Sequence, residues 1–132
     1  MVVRSASKSG KPPVILCDGN DFEAVQLKRL LEPHYDLLLS SAPMEALKSL
    51  VSAPFRSIVV GLRSGDPTFR ELIPLVKKIR PELPIIVIAD GGSLEEQRSV
   101  QREGIFYFVP RPVAGKEILS ALANAVEKGL AR

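Results

Sequence analysis

Few side chains in this chain could react, and those that could collect where apolar runs end. Val14-Ile-Leu-Cys-Asp-Gly-Asn-Asp21 closes one such run on two acids, Asp66 lies in the Gly- and Pro-containing stretch 62–68, and Asp90-Gly-Gly-Ser93 closes another. Cradling a phosphate takes Gly or hydroxyl residues that feed backbone N–H groups to a helix start. Cys17-Asp-Gly-Asn-Asp21 has no hydroxyl, and its two acids repel an anion. Asp90-Gly-Gly-Ser93 is the better anion loop, but it is short and Asp90 works against it. The one histidine, His34, falls in a helix-to-strand turn and reads as a surface residue. The one cysteine, Cys17, ends an apolar run and reads as an inert buried thiol. A single cysteine excludes an internal disulfide and any multi-cysteine metal site. No serine or cysteine has a general base in evident reach, so no catalytic residue and no enzyme is expected.

The elements that position these loops follow from periodicity. Val14–Cys17 reads as a buried strand that hands the chain to a helix over Asp21–Leu31, with Val25, Leu27, Leu30 and Leu31 available for its buried face. Asn20 and Glu23 have the spacing of a capping box. Tyr35–Ser40 is a second strand, and Met44, Leu47, Leu50 and Val51 mark a helix over Met44–Val51. Ser57–Val60 is a third strand ending at Gly61. The next helix spans Phe69–Arg80 on a stripe of Leu72, Ile73, Val76 and Ile79, with Pro74 predicting a bend or a late start. Ile85–Ala89 reads as a central strand buried on both faces. Ser93 and Glu96 predict a second capping box for a helix over Leu94–Glu103, which Gly104 ends. Ile105–Val109 is the fifth strand, and Lys116–Ala131 the last helix, with Ile118, Leu119, Leu122, Val126 and Leu130 on one side. Strand and helix alternate with short connections, which predicts an α/β fold: a five-stranded parallel sheet in the order 2-1-3-4-5, doubly wound and flavodoxin-like, in three α/β/α layers. Chemistry in such sheets sits at the carboxyl ends of the strands, where Asp18, Asp66 and Asp90 fall.

Composition narrows the class. The 132 residues favour one domain, and 45% apolar with 25% charged residues is an ordinary globular balance. The formal net charge of +3 arises from Arg4, Lys8 and Lys11 in an acid-free start; without them the basic residues equal the 15 acids. Residues 1–12 are therefore read as a disordered solubilising tail before a domain at 13–132, and no nucleic-acid surface is expected. No apolar stretch approaches the roughly 20 residues of a membrane span, and no apolar region follows the basic start as in a secretory signal. A cytoplasmic protein that does not contact membrane is expected.

From about Pro13 onward the sequence resembles the CheY-like receiver domains of two-component response regulators. The resemblance is carried by Val14–Asp18, Ala42-Pro-Met-Glu-Ala-Leu47, Pro84-Ile-Ile-Val-Ile-Ala89 and Gly104-Ile-Phe-Tyr-Phe-Val-Pro-Arg-Pro112, in order and spacing. It implies a pocket with two adjacent acids for Mg²⁺, a phospho-accepting aspartate, a Ser or Thr and a Lys before a proline. Those positions fall here on Asp18 and Gly19, Gly61, Ala89 and Arg111. Only Asp18 is kept, and Arg111 conserves charge. The resemblance is thus to a degenerate bacterial receiver, a pseudo-receiver: no acceptor, one carboxylate left for metal, and no hydroxyl to sense a product. No cofactor is expected, with Mg²⁺ binding weak or absent. Arg111 is expected to point at Asp18 and balance its charge, and the Arg111–Pro112 bond to be cis, as is common in the family.

The function implied is a phosphorylation-independent protein-interaction module of a phosphorelay, with protein partners and a possible homodimer. The family's interaction face falls on Arg98, Arg102, Tyr107, Lys116 and Glu117, with the gating aromatic at Phe108. Two alternatives stay open: a phosphorylatable receiver that uses Asp66 or Asp90 as an unconventional acceptor, and a flavodoxin-like binder of a small ligand at the same edge.

Overall fold

A computed structural model of the chain describes residues 10–19, 21–63, 65–90 and 93–130. Five strands and five helices alternate: β1 (Pro13–Cys17), α1 (Asp21–Leu31), β2 (Asp36–Ser40), α2 (Pro43–Ser52), β3 (Ser57–Gly61), α3 (Leu72–Ile79), β4 (Ile85–Ala89), α4 (Leu94–Gln101), β5 (Tyr107–Pro110) and α5 (Gly115–Leu130). All strand pairs are parallel, in the order β2-β1-β3-β4-β5. The expected α/β topology is the one observed.

Alternation along each strand divides the core between the two faces of the sheet. Ile15, Cys17, Ile58, Val60, Ile85 and Val87 pack under α2, α3 and α4 with Leu50, Leu72, Val76 and Val100. Val14, Leu16, Val59, Ile86, Ile88 and Val109 pack under α1 and α5 with Leu27, Leu31, Ile118 and Leu122. β1 and β3 are buried along their whole length, which is why they read as unbroken apolar runs. Within β3, buried Ser57 donates its hydroxyl to the Pro84 carbonyl at 2.9 Å, so its polar atom is satisfied.

Several expectations shift. Val25, Met44 and Val51 are 43, 62 and 73% exposed, and Ile79 also faces outward. Ala24 and Ala46 take the sheet-facing places instead; their small side chains let the helices approach the strands closely. The helix expected from Phe69 starts at Leu72, after a turn in which the Leu72 N–H donates to the Phe69 carbonyl. Pro74 then lies in the first helical turn, where its missing N–H costs nothing. The helix expected to reach Glu103 stops at Gln101, with Gly104 at φ +85° closing the turn. The fifth strand begins at Tyr107 rather than Ile105.

Residues 1–9 of the expected tail lie outside the described residues, whereas its last part is tied down. The Asp36 N–H donates to the Pro12 carbonyl at 2.9 Å, and Lys11 donates to the Glu32 carbonyl at 3.2 Å. Among the described residues, no helix is long and apolar enough to cross a membrane.

Candidate functional site at the carboxyl edge

Asp18 leaves β1 with its side chain fully buried and its backbone N–H donating to the Ser40 carbonyl. The sheet brings Gly61 alongside: a Cβ at Gly61 would stand 2.9 Å from Asp18 Cγ and 3.3 Å from Arg111 Nη2. Glycine at the end of β3 is therefore a requirement of close approach, because the space of a side chain is already taken. At Gly19 a Cβ would lie 3.6 Å from the ring of Phe69, a buried residue in the turn before α3. Ala89 ends β4 half-buried, its carbonyl accepting from the Arg111 N–H at 2.9 Å.

Arg111 is the centre of the polar network, but its partner is not the expected one. Its Nε donates to both carboxylate oxygens of Glu23, at 2.9 and 3.0 Å. Its Nη1 donates to the Leu62 carbonyl and lies 3.4 Å from Asp90 Oδ1. The cation that approaches Asp18 is Arg63, whose Nη2 stands 4.0 Å from Asp18 Oδ1 while donating to Glu23 Oε1 at 3.0 Å. Asp18 and Arg111 both approach the place a Gly61 side chain would take, and Glu23 takes the direct pairing with Arg111. The Arg111–Pro112 bond is cis, as expected.

Two guanidinium groups thus share one carboxylate at the mouth of a small cavity of about 180 Å³, walled by Gly19, Gly61, Arg63, Asp66 and Phe69. The Arg111 side chain is only 9% exposed. Its Nη2 and the Nε of Arg63 are buried with no hydrogen-bond partner among the described residues. A larger groove of about 450 Å³ opens beside this cavity, between the loop after β3 and the flank of α4.

Glu23, Arg63 and Phe69 were not legible as site residues. Glu23 reads as half of a capping box, whose other half, Asn20, lies outside the described residues; its carboxylate engages two arginines. Arg63 stands two residues beyond Gly61, and that period-two offset was the available signal that it returns to the pocket side.

The remaining candidates separate. Asp66 is exposed, and its carboxylate accepts from the Thr68 N–H and hydroxyl. Those bonds stabilise the ionised carboxylate and hold its pKa below the ordinary carboxylate value. Burial first, and the Asp18 charge second, push the Cys17 thiol far above its ordinary range, so it is not a nucleophile. His34 is exposed in the turn after α1, remote from this edge.

On the expected interaction face, Tyr107 donates its hydroxyl to Glu117 at 2.9 Å, which raises the phenol's pKa. Arg98, Arg102 and Lys116 are exposed. Phe108, expected as the gating aromatic, is half-buried, packing on the core under α4 and lining the groove.

No protein-family model matches the chain. Among curated proteins it is similar to the transcriptional regulatory protein GlrR of Escherichia coli, 24% identical over 122 residues, which are 91% of this chain and 28% of the relative. It is also similar to the DNA-binding transcriptional regulator NtrC of Azospirillum brasilense, 33% identical over 69 residues, or 52% of this chain and 14% of that protein. The chain spans under a third of the length of these relatives. Among solved structures, the signal receiver domain of an HD domain-containing protein from Pseudomonas fluorescens superposes with a TM-score of 0.82 at 22% identity, covering 92% of this chain and 99% of that one.

Proposed function

From a chain with the CheY-like receiver fold and response-regulator relatives, we propose a receiver domain that signals without being phosphorylated: a protein-interaction module of a two-component pathway. The observation that carries this reading is the crowding at Gly61. The acceptor position has no side chain, and a Cβ there would collide with Asp18 Cγ at 2.9 Å. The residues present do not fit Mg²⁺ either. A hard cation needs several oxygen ligands, whereas the Asp18 carboxylate stands against Gly61 and the Arg63 guanidinium, and its neighbour Gly19 offers no oxygen ligand from a side chain. Arg63 and Arg111, clasped by Glu23, supply fixed positive charge in place of a metal and a lysine, so the pocket is set in one state.

Asp66 and Asp90 are poor substitutes as acceptors, since Thr68 occupies the first and Arg111 approaches the second. The output surface in this reading is the side of α4, β5 and α5 that bears Arg98, Arg102, Tyr107, Lys116 and Glu117. Its partner is a cytoplasmic protein or a second copy of the chain, not nucleic acid or membrane, and no enzymatic step is involved.

An amide NMR titration with Mg²⁺ and beryllofluoride, a mimic of an aspartyl phosphate, tests the reading. Flat spectra at millimolar ligand are expected. Saturable shifts centred on Asp18, Ala89 and Arg111 would show a working phosphoryl pocket and sink it.

A further inference from the structure

The groove beside the pocket is built on apolar side chains. Leu62, Ala89, Val100 and Phe108 line it, and its volume is about 450 Å³. That lies in the range of sites that enclose a small organic molecule, roughly 300–1,000 Å³. Its walls come from the loop after β3 and from α4, and the only residue α4 buries is Val100. Such a wall can adjust around an occupant.

The polar groups on the walls indicate what kind of occupant fits. The acids are engaged: Asp66 accepts from Thr68, Asp90 faces Arg111, and Glu96 accepts from the Ser93 N–H. The remaining neutral groups can donate. Arg63 lines the groove, although its Nε–H, unpartnered among the described residues, is itself buried away from the open space. Ser99, which accepts from Arg70 at 3.2 Å, keeps a hydroxyl proton to give, and Gln97 adds an amide. A ligand here therefore presents acceptor oxygen. It is not an anion, because Asp66, Asp90 and Glu96 outnumber Arg63 and Arg70 on the walls.

We propose that this groove is a binding site for an uncharged, mainly apolar small molecule bearing a carbonyl-type oxygen, giving the domain a chemical input of its own. The inference stands on the groove alone and does not depend on whether Gly61 and Asp18 have lost phosphoryl chemistry.

The test is an amide NMR titration of the full chain with coumarin, a neutral planar lactone, beside coumarin-3-carboxylate, its anionic counterpart. Coumarin is expected to shift Ala89, Val100 and Phe108 with a dissociation constant of about 1 mM or tighter, and the carboxylate to bind more weakly. Gln97→Trp fills the groove from the exposed side of α4 and should weaken coumarin at least tenfold without changing the circular dichroism. Ala89→Leu, which fills the floor, should do the same. No shift at saturating coumarin, tighter binding of the carboxylate, or shifts that persist in both filled variants would overturn the proposal.

Discussion

Glu23 holds two arginines that have few other places to go. Removing its charge strands a guanidinium that is 9% exposed and weakens a second that is 30% exposed. Hydrogen bonds to charged groups are each worth roughly 1.5–3 kcal/mol, with the more exposed one discounted for solvent screening. Glu23→Ala should therefore cost about 2–3 kcal/mol in urea denaturation, and a loss under 0.5 kcal/mol would show that the clasp is not structural. Gly61→Ala tests crowding rather than charge. Forcing a methyl into packed space costs roughly 1–3 kcal/mol, and Asp18→Ala removes the atom it meets. The double variant should recover much of the loss; simple additivity of the two single effects would mean that the atoms do not touch. Cys17 gives a pH dependence with a definite sign. Its folded pKa lies above the ordinary thiol value of 9.0, so above that pH the unfolded chain releases a proton that the folded chain keeps. The stability is complete below pH 9 and falls as pH rises beyond it, at up to about 1.4 kcal/mol per pH unit. Cys17→Ala should lose that part of the slope between pH 9 and 10.5, and an unchanged slope would assign the alkaline loss to other groups.

At the scale of elements, the sequence made strands and caps readable and misplaced helix faces. Ile85–Ala89 was found to the residue because a strand buried on both faces is an unbroken apolar run between turn residues. The Ser93–Glu96 box was found because both halves are local, and both bonds form. Met44 and Val51 were misread because helical spacing alone does not say which of two apolar lines meets the sheet; Ala46 and Leu50 do. The pocket was half legible for a related reason. Asp18, Gly61, Ala89 and Arg111 could be placed by their offsets from strand ends, whereas the pairing of Glu23 with Arg111, 88 residues apart, is a tertiary choice with no local signature. The capping box has its own consequence. With Val100 as its only buried residue, α4 depends on that cap more than the other helices do on theirs. Ser93→Ala should cost roughly 1 kcal/mol and accelerate hydrogen exchange selectively in residues 94–101. Equal acceleration across α1 and α5 would place the loss in global rather than local stability.

Taken whole, the molecule has two apolar layers that share one sheet. Val59 faces one layer while its neighbours Ile58 and Val60 face the other, so neither layer can open without exposing backbone that the other needs covered. The domain should therefore unfold as one unit, as single domains of this size usually do, although it spans only 28% of a relative such as GlrR. The chain supplies a reporter for each layer. Tyr35 is buried with the α1 and α5 side and Cys17 with the α2, α3 and α4 side. Tyr107 is the only other tyrosine and there is no tryptophan, so in Tyr107→Phe the tyrosine emission reports Tyr35 alone. In that variant, Tyr35 fluorescence and the accessibility of the Cys17 thiol to a brief labelling pulse should give the same urea midpoint. A thiol that becomes reactive well before the fluorescence changes would mean that the α2–α4 layer, the one that includes the groove wall, opens by itself.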